Sequence, residues 1–186
     1  MPELTPSQTV GPFFAIALPR PEDDTVVAGT AHPRAILIDG VVRDGGGAPV
    51  ADALVETWQA DPAGHYHHPD DQRHEPSGMA FRGLARVATA PDGRFALRTV
   101  KPGPVPGPDG RPQAPHLAVG LFARGLLHRL VTRIYFDDEP ANATDPILEL
   151  VPAARRDTLV ARAIAPGRFR IDFILQGDGE TVFFDV

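Results

Sequence analysis

Phe169-Arg170-Ile171-Asp172-Phe173-Ile174-Leu175-Gln176 decides the fold class. Phe169, Ile171, Phe173 and Leu175 fall on one side of an extended chain, and Arg170, Asp172 and Ile174 on the other. That period of two marks a half-buried β-strand. Gly177-Asp178-Gly179 follows as a turn and predicts a terminal hairpin with residues 180–185. Working back from there, the same pattern recurs at 130–136, 116–123, 94–100 (Phe95, Leu97 and Thr99 on one face), more weakly at 82–89, at 53–60 and at 35–43. Turns at Asp44-Gly45-Gly46-Gly47, Pro91-Asp92-Gly93 and Gly125 separate these runs. Only 157–163 suggests a short helix, entered from Pro152. The expectation is an all-β fold, an antiparallel β-sandwich with long loops, an extended N-terminal arm and at most one or two short helices.

Composition agrees. The 186 residues include 21 prolines and 18 glycines, punctuation that suits short strands and disfavours long helices. The formal charge of −6 speaks against a nucleic-acid or anionic-membrane binder. With no cysteine there is no disulfide framework, thiolate metal site or cysteine nucleophile. The longest apolar runs are far short of the roughly 20 residues a bilayer requires. The start, Met1-Pro2-Glu3-Leu4-Thr5, does not have the form of a secretory signal, so a cytoplasmic location is expected. Residues 1–34, broken by Gly11-Pro12-Phe13-Phe14 and Pro19-Arg20-Pro21, read as an arm that packs on a partner subunit or on its own body. Residues 35–186 form the domain.

Three places invite chemistry. His65, His67, His68 and His74 crowd into ten residues around Tyr66, but Asp70, Asp71, Arg73 and Glu75 lie among them, and the run reads as a solvated polar loop before a metal or interface site. His116 opens a strand, where a His-x-His pair would aim two imidazoles at one point; Ala118 holds the second position, which leaves a lone, structural histidine. Arg133 lies mid-strand in Leu130-Val131-Thr132-Arg133-Ile134-Tyr135-Phe136. An unpaired buried guanidinium is costly, so it either forms an ion pair, with Asp137 or Asp138 as candidates, or receives an anionic ligand. No phosphate loop, dinucleotide-binding glycine pattern or serine nucleophile context is present.

Six motifs in order resemble the intradiol aromatic-ring dioxygenases over nearly the whole chain: Thr5-Pro6-Ser7-Gln8-Thr9 with Gly11-Pro12-Phe13, Val55-Glu56-Thr57-Trp58-Gln59-Ala60-Asp61, Thr99-Val100-Lys101-Pro102-Gly103, Ala114-Pro115-His116-Leu117, residues 132–139, and residues 176–185. The resemblance implies cleavage of a catechol between its hydroxyls by O₂ at one ferric ion held by two tyrosines and two histidines. Gly64-His65-Tyr66-His67-His68 matches the motif of the first tyrosine. Val105, in Lys101-Pro102-Gly103-Pro104-Val105-Pro106, stands where the second belongs, and Ala118 replaces one histidine. The departure resembles the iron-free subunit type of the family. Such a chain pairs with an iron-bearing homologous β subunit in an αβ hetero-oligomer. It completes the partner's site for protocatechuate, which O₂ converts to 3-carboxy-cis,cis-muconate in aromatic catabolism by the β-ketoadipate route. By the same resemblance this chain holds no metal and Fe(III) sits on the partner. Thr9, Gly11, Pro12 and Phe13 of the arm bind substrate, and Arg133 is the catalytic cation. Two competing readings are a self-sufficient single-chain metalloenzyme using Tyr66 and the histidine cluster, and a non-catalytic scaffolding module.

Overall fold

Strand β1 (Ala35–Arg43) organises the sheet, because strands bond to both of its edges. The computed structural model describes residues 4–11, 13–26, 34–73 and 81–185. Along one edge β1 runs antiparallel to β4 (Arg94–Val100) over seven rungs, from Ala35↔Val100 to Val41↔Arg94. Along the other it runs parallel to β10 (Arg168–Arg170) and then to β11 (Phe173–Ile174). The remaining principal strands are β2 (Leu54–Trp58), β3 (Leu84–Ala88), β7 (Leu117–Phe122), β8 (Leu130–Phe136) and β9 (Val160–Ala165). They give the order β11-β1-β10-β9-β8-β7-β2-β3, with β4 branching from β1. The outer strands β3 and β4 lie against each other, so the sheet is nearly closed. Ile38, Val55, Phe95, Leu97, Leu121 and Phe136 belong to the one large apolar cluster inside it.

The all-β class is as expected, but the sheet is mixed where an antiparallel one was expected. Three pairings, β1–β10, β1–β11 and β8–β9, are parallel. The predicted strand at 169–176 is also interrupted. The Ile171 N–H donates to Asp39 O at 3.0 Å, and the Asp172 carboxylate accepts the Val41 N–H at 3.0 Å in place of a backbone carbonyl. Gly40 makes room for this, since a Cβ there would lie 1.7 Å from Ile171 O. The terminal hairpin is reduced to a turn. The Thr181 N–H still donates to Ile174 O, but Phe184 has moved to bridge Val131 of β8.

The 157–163 helix is corrected too. A 3₁₀ helix occupies Ala153–Leu159 after Pro152, and the chain then extends into β9, where Ala161 is buried beside Phe136. Two helical turns were not anticipated. A 3₁₀ turn, Pro140–Thr144, is capped by Glu139. Helix α2 (Pro146–Leu150) is capped by the Asp145 carboxylate, with Pro146 at its first position. The Pro/Gly-rich loop 101–115 contains a small ladder between β5 (Val105–Pro106) and β6 (Pro112–Gln113).

The arm has two behaviours. Asp23 to Val26 is bound to its own domain: the Arg98 N–H donates to Asp24 O, the Val26 N–H to Arg98 O and the Arg86 N–H to Asp23 O, and Val26 is fully buried. Closer to the N-terminus the arm carries a short helix, α1 (Phe14–Ala17), and displays Leu4, Val10, Phe13, Ile16 and Leu18 to solvent. Among the described residues no helix is long and apolar enough to cross a membrane.

Candidate functional site

Two loops meet because glycine allows it. The Asp61 carboxylate accepts the N–H groups of Ala63 (2.8 Å) and His65 (3.0 Å), and its carbonyl accepts the Gly103 N–H at 2.8 Å. This folds 61–65 back onto the strand that ends at Trp58. Gly64 has φ +82°, and a Cβ on it would stand 2.2 Å from Pro104 O; one on Gly103 would stand 2.6 Å from Pro62 O. The contact brings the Tyr66 loop beside the Val105 loop. The Tyr66 ring lies parallel to Trp58, with centroids 6.0 Å apart. Its N–H is held by Asp71, which is paired with Arg73 at 2.8 Å. An open cleft of about 710 Å³ lies here, lined by Trp58, Tyr66, His68, Asp70, Asp71 and Arg73.

The β7–β8 hairpin adjoins the site, its Ala118 paired with Trp58 of β2. Ala118 is directly opposite Arg133, one rung from Leu117↔Ile134. Alternation puts His116 and Ala118 on one face of β7, and Arg133 and Tyr135 on the matching face of β8. His116 is buried and its Nδ1–H donates to Ala114 O at 2.7 Å. Its ring is 5.6 Å from that of Tyr135. Arg133 Nη1 donates to Gln113 Oε1 at 2.7 Å and to the Tyr135 hydroxyl at 3.2 Å; that hydroxyl donates in turn to Asp145 at 3.2 Å. Neither expected ion-pair partner reaches Arg133. Asp137 accepts the Ala163 N–H, and Asp138 pairs with Lys101 at 2.9 Å. Among the described residues no carboxylate forms an ion pair with Arg133.

The electrostatics follow from burial. Burial raises the Tyr66 and Tyr135 phenols, so both stay protonated, while the Arg133 charge opposes that rise in each. Burial, and then the Arg133 charge, push the His116 imidazole down to about 4. An unfolded histidine titrates near 6.5. Between those values the unfolded chain binds more protons, so stability rises with pH across the window and is lost as pH falls from 6.5 towards 4. The gap corresponds to about 3 kcal/mol in all, reached only below both values. Replacing His116 by Asn, which keeps a donor near Ala114 O, should therefore flatten the melting-temperature profile between pH 4 and 6.5. A variant profile as steep as the wild type's would show that another group controls acid stability.

The donor set does not fit ferric iron. Tyr66 and His116 supply one phenol and one imidazole, whereas the buried Val105 and the half-buried Ala118 have no donor atom, and a guanidinium stands in the same cluster. The histidine cluster offers no replacement. His67 and His68 are exposed, His68 lies 3.5 Å from Asp70, and His74, with Glu75, is outside the described residues. Among the described residues no group of three His, Cys, Asp or Glu side chains is placed to hold a metal ion.

Of the arm residues, Thr9 meets the far end of the same hairpin. Thr9 Oγ1 accepts the Gly125 N–H at 2.9 Å, and Gly125 makes the turn with φ +84°. Gly11 (φ +70°) has nothing within 4 Å of a Cβ position, and Phe13 is 75% exposed. Pro12 lies outside the described residues. Arg133 is not with them. Its rung at Ala118 is seven positions from Gly125, roughly 20 Å at about 3.3 Å per residue. A cation beside the Thr9 contact is Arg124, next in the chain to Gly125, exposed and paired with Asp52. Sequence reasoning passed over it, although an arginine immediately before a hairpin glycine is a signal the sequence carries.

The dioxygenase family model matches residues 10–172. The protocatechuate 3,4-dioxygenase alpha chain of Burkholderia cepacia is 44% identical over 198 aligned positions, covering 98% of this chain and 97% of that one. The beta chain of the same enzyme from that organism is 39% identical over 154 positions, covering 81% of this chain and 63% of that one. Among solved structures, the dioxygenase domain of a dioxygenase carbohydrate-binding fusion from Streptomyces sp. SirexAA-E superimposes with TM-score 0.62 at 28% identity, covering 94% of this chain and 99% of that chain.

Proposed function

The chain belongs to the dioxygenase family, and from that premise we propose that it is an α-type subunit of a protocatechuate 3,4-dioxygenase, completing the active site of an iron-bearing homologous partner. One observation carries the proposal. The fold and two ligand-like positions, Tyr66 and His116, are kept, while Val105 and Ala118 offer no donor and Arg133 places a fixed charge among them. A chain so altered contributes by shape and charge. Its resemblance to both chain types of a two-chain enzyme supports an αβ assembly at equal stoichiometry. We read the curled sheet as a two-layer sandwich, residues 1–34 as the arm that reaches the partner, and the cytoplasm as its compartment.

Ferric iron on the partner supplies the activation of the bound catecholate toward O₂. This chain's own residues do the rest of its work. The arm lays Thr9, Gly11, Pro12 and Phe13 over the partner's pocket. The exposed apolar side chains Leu4, Val10, Phe13, Ile16 and Leu18 are what that contact would cover. Open backbone at Gly11 permits close approach to a ligand. Arg124, held by Asp52 at the turn that Thr9 caps, is placed to meet the substrate carboxylate beside the arm. Arg133 keeps a second reading as that cation, because among the described residues no carboxylate pairs with it.

The test is expression of the chain with and without an iron-bearing partner that has tyrosine and histidine at the two lost positions. Alone, the chain should contain no stoichiometric iron and no tyrosinate-to-iron absorption band. Together, the two should sediment as one equimolar species that consumes protocatechuate and O₂. Iron and turnover in the chain alone would establish the single-chain metalloenzyme. A pair in which truncation of residues 1–13 leaves turnover intact would establish the scaffolding role.

A further inference from the structure

We propose that the Arg133 guanidinium occupies, in this chain's own cleft, the place of a metal cation, so that the site is closed to metal by a built-in charge as well as by two missing donors. The inference rests on family membership and not on the existence of a partner.

The geometry is that of one small patch. Ala118 and Arg133 are opposed across β7 and β8, and His116 and Tyr135 stand one step along on the same face. Ala118 presents only a methyl across the rung from Arg133, on the face that the arginine stem shares. The guanidinium is held by Gln113 at 2.7 Å and Tyr135 at 3.2 Å. Tyr135 is anchored by Asp145, whose two oxygens also accept the N–H groups of Ala114, Ile147 and Leu148 at 2.7–2.9 Å. The cation is therefore fixed by half-buried hydrogen bonds anchored on the buried Tyr135–Asp145 pair, within electrostatic reach of both Tyr66 and His116. The guanidinium donates to the amide oxygen of Gln113 and the phenol oxygen of Tyr135, and a second cation at the same point would meet like charge at a half-buried site, where water screens less than in bulk. The alanine and the arginine then act as one coupled change: restoring a ligand without removing the charge should not restore binding.

Cobalt(II) titration of the full chain, expressed by itself, tests this by its visible bands and by metal-to-chain ratio after gel filtration. Ala118→His alone should bind no more tightly than wild type. Ala118→His with Arg133→Gln should gain one equivalent of cobalt at least about a hundredfold tighter, the size expected when a like-charge clash worth several kcal/mol is removed. Ala118→His with Arg133→Lys, which keeps the charge but not the fork, should stay with the single variant. Equal affinity for Ala118→His with and without Arg133→Gln would overturn the proposal, and so would cobalt uptake by the lysine variant equal to that of the glutamine one. Circular dichroism confirms the fold of each. If the histidine variants do not fold, Ala118→Cys, a smaller donor, goes through the same series with the same two overturning results.

Discussion

Arg124→Ala is expected to lower kcat/KM for protocatechuate by ten- to a hundredfold in the assembled enzyme, with iron content unchanged. A hydrogen bond between charged groups is typically worth about 1.5–3 kcal/mol, or about one to two powers of ten. Arg124 is suited to that bond. It is exposed, its direction is fixed by Asp52, and it stands beside the Gly125 turn that binds Thr9 of the arm. Lysine should recover only part of the loss, since it has no planar fork to match a carboxylate. A substrate without the carboxylate should show no difference between wild type and variant. Arg133→Ala in the same complex separates the two arginines. A cation that serves the chain's own cleft leaves Gln113 Oε1 without its donor when removed, while Tyr135 keeps Asp145, so the loss falls on melting temperature. If the loss from Arg133→Ala instead falls on kcat/KM, with Arg124→Ala near wild type, the substrate contact belongs to Arg133.

What the sequence told and withheld about this arrangement has a physical pattern. Strands β1, β4, β7 and β8 were legible to within a residue or two, because β4 alternates buried and exposed side chains, the other three are short apolar runs, and glycine turns bound them. The pairing of β1 with β10 and β11 was not, since parallel partners more than 120 residues apart leave no local trace. The break inside 169–176 depends on Gly40 making space for Ile171 O, a contact between segments that are independent in sequence. Helix α2, by contrast, announced itself: Asp145-Pro146 is a cap followed by the favoured first residue, and it was simply not read.

The site divided the same way. The lost donors at Val105 and Ala118 could be read directly, because a ligand position is a matter of residue type. Where the cations stand could not. Asp137 and Asp138 follow Arg133 closely in the chain, yet they serve Ala163 and Lys101, while Arg133 turns to Gln113. Thr9 meets Gly125 across 116 positions. Spacing along the chain says little about side chains that meet only through the sheet.

The second large effect concerns Asp145, which the cleft depends on without touching it. Its carboxylate is fully buried and accepts four hydrogen bonds: Ala114 N–H at 2.7 Å, Leu148 N–H at 2.8 Å, Ile147 N–H at 2.9 Å and the Tyr135 hydroxyl at 3.2 Å. It thus caps α2, fixes the segment whose Ala114 carbonyl holds His116, and orients the phenol that holds Arg133. Asp145→Ala strands the buried N–H groups of Ala114 and Leu148 and the half-buried one of Ile147, beside a packed apolar cluster with Leu148, Val151 and Leu159. The cap alone is worth about 1 kcal/mol, and each further stranded group costs about 1–3 kcal/mol. We expect a loss of about 3–5 kcal/mol in total, in the range of a broken buried network. For a chain of this size that lowers the melting temperature by roughly 10–15 °C. Asp145→Asn keeps an acceptor and the volume, so it should lose about half as much. In that variant one side of the amide presents N–H to a neighbour that also donates, and Ala114, bonded to the second oxygen, is the group most exposed to the mismatch. Thermal melts of both variants, with the His116 ring followed by NMR, decide the point. A melting temperature for Asp145→Ala within two or three degrees of wild type would mean that water enters and satisfies these groups, and that Arg133 is held in place by Gln113 alone.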